Sequence, residues 1–117
     1  MIGEIIRRFG IWRYAGFDRV ESVALVLLSY DMPGFAKFLA NRNIHMRKEL
    51  AIQGYDLDKL YRDTEPSVRR AVAGHGVYLD ALIRDPDPRV RHEVVLYREH
   101  YLSLQEDILE VLELADV

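Results

Sequence analysis

Asp-Thr-Glu-Pro-Ser-Val-Arg-Arg-Ala-Val-Ala-Gly-His-Gly (residues 63 to 76) and Asp-Pro-Asp-Pro-Arg-Val-Arg-His-Glu-Val-Val (residues 85 to 95) are two versions of one phrase, set 22 residues apart. Moving outward at that period lays Asn41 to Arg62, Asp63 to Arg84 and Asp85 to Glu106 over one another without a gap. Met46, Val68 and Val90 coincide, as do Arg47, Arg69 and Arg91, then Leu50, Val72 and Val94, and finally Leu60, Leu82 and Leu104. Polar positions recur with the apolar ones, which is the mark of a structural repeat and predicts a stack of similar units. Residues 19 to 40 form a degenerate earlier copy, in which Phe35 falls on Leu57 and Phe38 on Leu60.

The order of residue types within a unit predicts its local structure. Asn43, Glu65 and Asp87 stand at the N-cap position, and Pro66 and Pro88 follow at the first helical site, where a missing N–H costs nothing. The apolar positions recur at helical spacing for two to three turns. Gly54 and Gly76 then supply the left-handed backbone that stops a helix. Leu57 and Leu60, like Leu79 and Leu82, are three apart, which suits a 3₁₀ or single-turn α-helix pressing one edge inward. Such a unit cannot bury its own apolar face, so neighbours must cover it. The expectation is an all-α solenoid of about four 22-residue repeats, each an α-helix plus a short 3₁₀/α-helix, filling residues 1 to 117 as a single domain.

The ends are expected to act as caps. At residues 1 to 18, Ile2, Ile5, Ile6 and Phe9 give an apolar helix face, with Gly10 ending the helix. Asp18 and Glu21 then form a capping box that starts a second helix, whose expected buried stripe is Val20, Val23, Ala24, Leu27 and Leu28. After the Met32-Pro33-Gly34 turn, Phe35, Phe38 and Leu39 make a short apolar piece. At the other end, Ser103-Leu104-Gln105-Glu106 reads as another capping box. It opens a terminal cap over residues 107 to 117, with Ile108, Val111, Leu112 and Ala115 as its buried face.

Composition narrows the function classes. Half of the 117 residues are hydrophobic and 30% are charged, the balance of a folded globular protein. The longest apolar run, Val23 to Tyr30, falls well short of the roughly 20 residues that span a bilayer, so no membrane partner is expected. The amino end lacks the order of a signal peptide, which makes the cytoplasm the default location. With no cysteine there is no disulfide, thiolate metal site or cysteine nucleophile. Of 19 acidic residues, five lie between Glu106 and Asp116 where no base occurs, leaving 16 basic against 14 acidic groups before them. That near-neutral body lacks the basic excess usual for a dedicated nucleic-acid binder.

The quoted phrases resemble the leucine-rich repeat variant, a helical relative of HEAT-like repeats, over about residues 41 to 104. That resemblance implies alternating α- and 3₁₀-helices in a right-handed superhelix and a binding or scaffold role. Here the unit is slightly shorter than is usual in that family, which implies a tighter connecting loop. Other HEAT-like repeats share the Asp-Pro-x-Val-Arg phrase but use longer paired helices. Some members of the variant family carry a cysteine-bound iron–sulfur domain, for which this chain has no ligands. Neither family supplies catalytic residues to transfer.

Candidate site residues follow from the repeat. Arg47-Lys48, Arg69-Arg70 and Arg91-His92 recur at one helical position in successive units, and stacking would bring them into a basic column. Arg47, Arg69 and Arg91 lie on the flank of the inward face, where they also suit pairing with Asp63, Asp85 or other acids. Lys48, Arg70 and His92 point to solvent, where they would bind an acidic protein segment or a nucleic-acid backbone. His45, His75, His92 and His100 occupy different repeat positions, apart from His92 at the Lys48 and Arg70 site, and no pair has helical zinc-motif spacing, so neither metal nor cofactor is expected. No nucleophile and base pair can be named, and Asp56, Asp58 and Asp80 read as solvent-facing charge. Tyr55, Tyr61, Tyr78, Tyr97 and Tyr101 lie within the repeats; Tyr55 and Tyr78 flank the glycine break, where exposure would mark an interface. The expected function is a non-enzymatic protein-interaction or scaffold module, monomeric or homodimeric, with nucleic-acid binding through the basic column as the alternative.

Overall fold

The computed structural model describes residues 1 to 115, and these form helices joined by turns with no strand among them. Eight helices occur among the described residues: α1 (Ile2–Tyr14), α2 (Arg19–Ser29), α3 (Gly34–Ala40), α4 (Ile44–Ile52), α5 (Leu57–Leu60), α6 (Pro66–Ala73), α7 (Leu79–Leu82) and α8 (Pro88–Ala115). They divide into two compact units, Met1–Tyr55 and Asp56–Val117. Asp116 and Val117, the end of the expected terminal cap, lie outside the described residues.

In the first unit α1 packs on α2, α2 on α3 and α3 on α4. The Asp18–Glu21 capping box forms in full: the Asp18 carboxylate accepts from the Glu21 N–H at 2.7 Å and the Glu21 carboxylate from the Asp18 N–H at 2.9 Å. Three expectations need correction here. Gly10 does not end α1, which runs on to Tyr14 and stops where Gly16 takes a φ of +104°. A glycine inside a helix costs only about 1 kcal/mol against alanine, too little to outweigh the turn that Ile11 to Tyr14 add.

The buried stripe of α2 is rotated from the expected one. Ser22, Ala24, Leu25, Val26 and Leu28 are buried, whereas Val20 and Val23 are 52% and 44% exposed. Because α1 and α3 both pack on α2, its buried arc is centred on residues that spacing alone left at the edge. Ser22 and Ala24 are small enough to sit between close neighbours. In α3, likewise, Ala36 and Ala40 are buried and Phe38 is exposed, so the match of Phe38 to the buried Leu60 does not extend to burial.

The third correction concerns how deeply α1 is seated: it packs on α2, as a cap would, but shallowly. None of its residues is buried, and Ile2 and Ile6 are largely exposed. An arginine adds a polar contact. Arg8 donates to the Ser29 hydroxyl at 2.9 Å and its guanidinium lies 4.5 Å from the centre of the Tyr30 ring. At α4, Asn43 caps as expected, accepting from the His45 and Met46 N–H groups, and Met46, Leu50 and Ala51 are buried.

In the second unit the repeated phrase has a repeated geometry. The Asp63 carboxylate accepts from the Glu65 N–H at 2.9 Å, and 22 residues on the Asp85 carboxylate accepts from the Asp87 N–H at 2.9 Å. Arg69 donates to the Asp63 carbonyl and Arg91 to the Asp85 carbonyl. Val68, Val72, Val90 and Val94 are all buried, and α6 packs on α8. Asp87 caps α8 through the Arg89 N–H, while Glu65 makes no side-chain cap and Pro66 opens α6. The turns before α5 and α7 also match: Gly54 and Gly76 have φ of +88° and +73°, and Asp56 and Tyr78 have φ of +53° and +56°.

That turn does not occur a third time. The expected short helix around Tyr101 to Leu104, and the capping box at Ser103 that was to start a separate terminal helix, are replaced by one 28-residue helix. Moved 22 residues on, Gly76 becomes Arg98 and Tyr78 becomes His100. Neither has glycine's freedom at positive φ, and arginine is a good helix former, so the helix continues. The residues expected to be its inner face, Leu104, Ile108, Val111, Leu112 and Ala115, are exposed.

Candidate functional site

Tyr78 is the odd residue of the second unit. The turn before each short helix demands a left-handed residue, and at Asp56 it gets a type that tolerates that conformation. At Tyr78 the same backbone holds a bulky ring, at a cost of roughly 1 kcal/mol. The ring is stacked on Tyr61, with centroids 4.1 Å apart and planes 4° apart, and the Arg62 guanidinium lies 4.7 Å from the Tyr61 centroid. Tyr78 is nevertheless 40% exposed.

Below this pair the backbone is left bare for another ring. A Cβ on Gly76 would lie 2.1 Å from Tyr97 Cζ and 2.4 Å from its hydroxyl, so the ring rests where a side chain would stand. Tyr97 comes from α8, one turn before Tyr101. The result is a groove of about 530 Å³ lined by Tyr61, Gly76, Tyr78, Leu79, Asp80 and Arg98. A second hollow of about 410 Å³ shares Gly76, Leu79 and Arg98 and adds Tyr97, Tyr101 and Leu102. Arg98 reaches to 3.8 Å from Asp80, whose side chain is fully exposed. Such a pair contributes little to stability and leaves the guanidinium available.

Of the basic residues predicted from the repeat, Arg47, Arg69 and Arg91 bond within the chain, and Arg69 pairs with Asp85 as expected. Arg69 makes a two-pronged bond to Asp85 at 2.7 and 3.0 Å and a third to the Asp63 carbonyl at 2.7 Å. The Asp85 hydrogen bond holds the Arg69 pKa above its ordinary value. Burial pushes Asp85 upward, but the Arg69 hydrogen bond and the Asp87 N–H outweigh it, so its carboxyl stays below the usual range. Arg91 is tied to the Asp85 carbonyl and, in the first unit, Arg47 to the Ala40 carbonyl at 3.1 Å. Asp85 thus gathers Arg69 and Arg91 into a brace between the two versions of the phrase.

Lys48, Arg70 and His92 are exposed, as their position predicted. Arg70 leans to Glu93 at 3.4 Å. Among the described residues no three His, Asp or Glu side chains gather to hold a metal ion, and no helix is long and apolar enough to cross a membrane. In the first unit a separate hollow of about 370 Å³ lies among Ile5, Val23, Val26, Leu27, Tyr30 and Met32. It is apolar and offers little to orient a ligand.

Sequence reasoning pointed to exposure at Tyr78 but missed Tyr97 and Arg98 as its companions. Their signal was present: the third unit breaks pattern at Arg98, where the first two have glycine. No protein-family model matches the chain, and neither a curated protein nor a solved structure matches it.

Proposed function

We propose that this chain is a non-enzymatic protein-interaction module of the helical-solenoid, leucine-rich-repeat-variant type, and that it takes its partner in the tyrosine groove of Asp56–Val117. The observation that carries this reading is the stacked Tyr61–Tyr78 pair, in which Tyr78 is exposed beside Arg98 and held at a backbone cost while Tyr61 is half-buried. Tyrosine and arginine are the residue types enriched at binding hot spots, because each gives a large rigid contact with a polar end. The repeated roles of Arg69 and Arg91, and the packing of α6 on α8, support stacking of like units.

Nucleic-acid binding is the second reading, and the structure moves its support from the basic column to the groove. Arg47, Arg69 and Arg91 spend donors on the chain itself, whereas stacked tyrosines with Arg62 and Arg98 resemble a base-stacking platform. Capture from cells that make the protein, using the wild type and the double variant Tyr78→Asn with Arg98→Ala, tests the first reading. A protein retained by the wild type and lost with the variant supports it; identical retention contradicts it. Steeply salt-dependent binding of random single strands, abolished by the same variant, would install the second reading instead.

A further inference from the structure

The carboxyl-terminal half of α8 carries a surface that the groove touches only at its start, through Tyr101 and Leu102. From Tyr101 to Leu114 eight large apolar side chains are between 46% and 69% exposed, an unusual run for a helix of a folded protein. Tyr101, Leu104, Ile108 and Val111 follow a spacing of three and four, the seam of a helix that packs on another helix. Leu102, Leu109 and Leu112 widen it: at 100° per residue the arc spans roughly 180°, with Gln105 within it and Leu114 outside it. The stretch is about 22 Å long. One helix roughly 10 Å across laid along it would bury a few hundred Å² per partner, the scale of a transient interface.

Charge selects the occupant. Asp107 borders the arc beside Val111, and Glu106 and Glu113 border it beside Leu102, with Glu110 behind. No basic residue follows His100 in the chain. Two copies of this helix laid together would set acid rim against acid rim, and like charges across an interface are costly. An anionic lipid surface is opposed for the same reason. We infer that the Tyr101–Ala115 half of α8 docks an amphipathic helix of another protein whose apolar face is flanked by lysine or arginine. This inference rests on the interaction-module reading but, from Leu104 onward, on side chains that the groove does not share.

Its test uses the full chain and three synthetic helical peptides of 18 residues. The first has a leucine face flanked by lysines, the second the same face flanked by glutamates, and the third the lysines with serine in place of leucine. Titration should show the first binding at least tenfold tighter than either other. Ile108→Glu with Leu112→Glu, both at exposed positions, should remove that binding with helix content unchanged by circular dichroism. Glu106→Gln with Glu113→Gln should shrink the preference for lysine over glutamate flanks. Tyr78→Asn should leave peptide binding intact, which separates failure of this inference from failure of the groove reading. Equal binding of the first two peptides, or no binding of either, overturns the inference. So does a dimer in sedimentation that Ile108→Glu dissolves, because the face then belongs to a second copy.

Discussion

At the scale of single residues, the second unit is organised by two positions that do not bear on each other. Asp85 joins the two versions of the repeated phrase by accepting from Arg69 and from its own helix start. Asp85→Asn leaves a nearly buried guanidinium facing a neutral amide and is expected to cost about 2 kcal/mol in chemical denaturation. Because the Asp85 pKa is depressed in the folded state, its contribution is complete above the unfolded value of about 3.9 and fades as pH falls through the folded value. The stability gap between wild type and Asp85→Asn should therefore be flat from pH 5 to 7 and close below pH 4. Gly76 is the second position. Gly76→Ala meets both a left-handed backbone and the Tyr97 ring, and should destabilise by about 3 kcal/mol. In a Tyr97→Ala background the same change should cost only about 1 kcal/mol, the backbone part alone.

At the scale of elements, the repeat was legible wherever the chain kept its punctuation. Asn43, Pro66 and Pro88 mark helix starts, and Gly54 and Gly76 mark turns, because each acts through its own backbone. Burial around α2 was less legible. Its inner arc depends on which neighbours arrive on which side, so Ser22 and Leu25 replaced Val20 and Val23. Gly10 misled for a related reason: a glycine stops a helix only where the backbone must turn left-handed, and α1 had more residues to add. A Cβ on Gly10 would meet nothing within 4 Å. Gly10→Ala is thus expected to stabilise the protein by somewhat under 1 kcal/mol, read as a rise in melting temperature. A fall would show that α1 breaks at Gly10 after all. The loss of the third turn was legible in principle, since Arg98 stands where the pattern asks for glycine.

At the scale of the whole molecule, the described residues are all-helical, and the second unit carries two surfaces that its packing does not need. The groove was half visible in the sequence: Tyr78 could be placed at the turn, but its stack on Tyr61 and the seat of Tyr97 over Gly76 depend on how α7 and α8 pack. The proposed use of Tyr78 in binding has a measurable signature. Tyr78→Asn relieves the left-handed strain of roughly 1 kcal/mol and loses a stack of similar worth, so stability should stay within about 1 kcal/mol of wild type. Binding through the groove should nevertheless be lost. The most direct test of that role is a photoreactive phenylalanine analogue placed at Tyr78 in one version of the protein and at Lys48 in another, irradiated in cells that make it. A discrete crosslinked protein from position 78 and not from position 48 is the predicted result. No crosslink at 78, or the same product from both positions, would contradict the account.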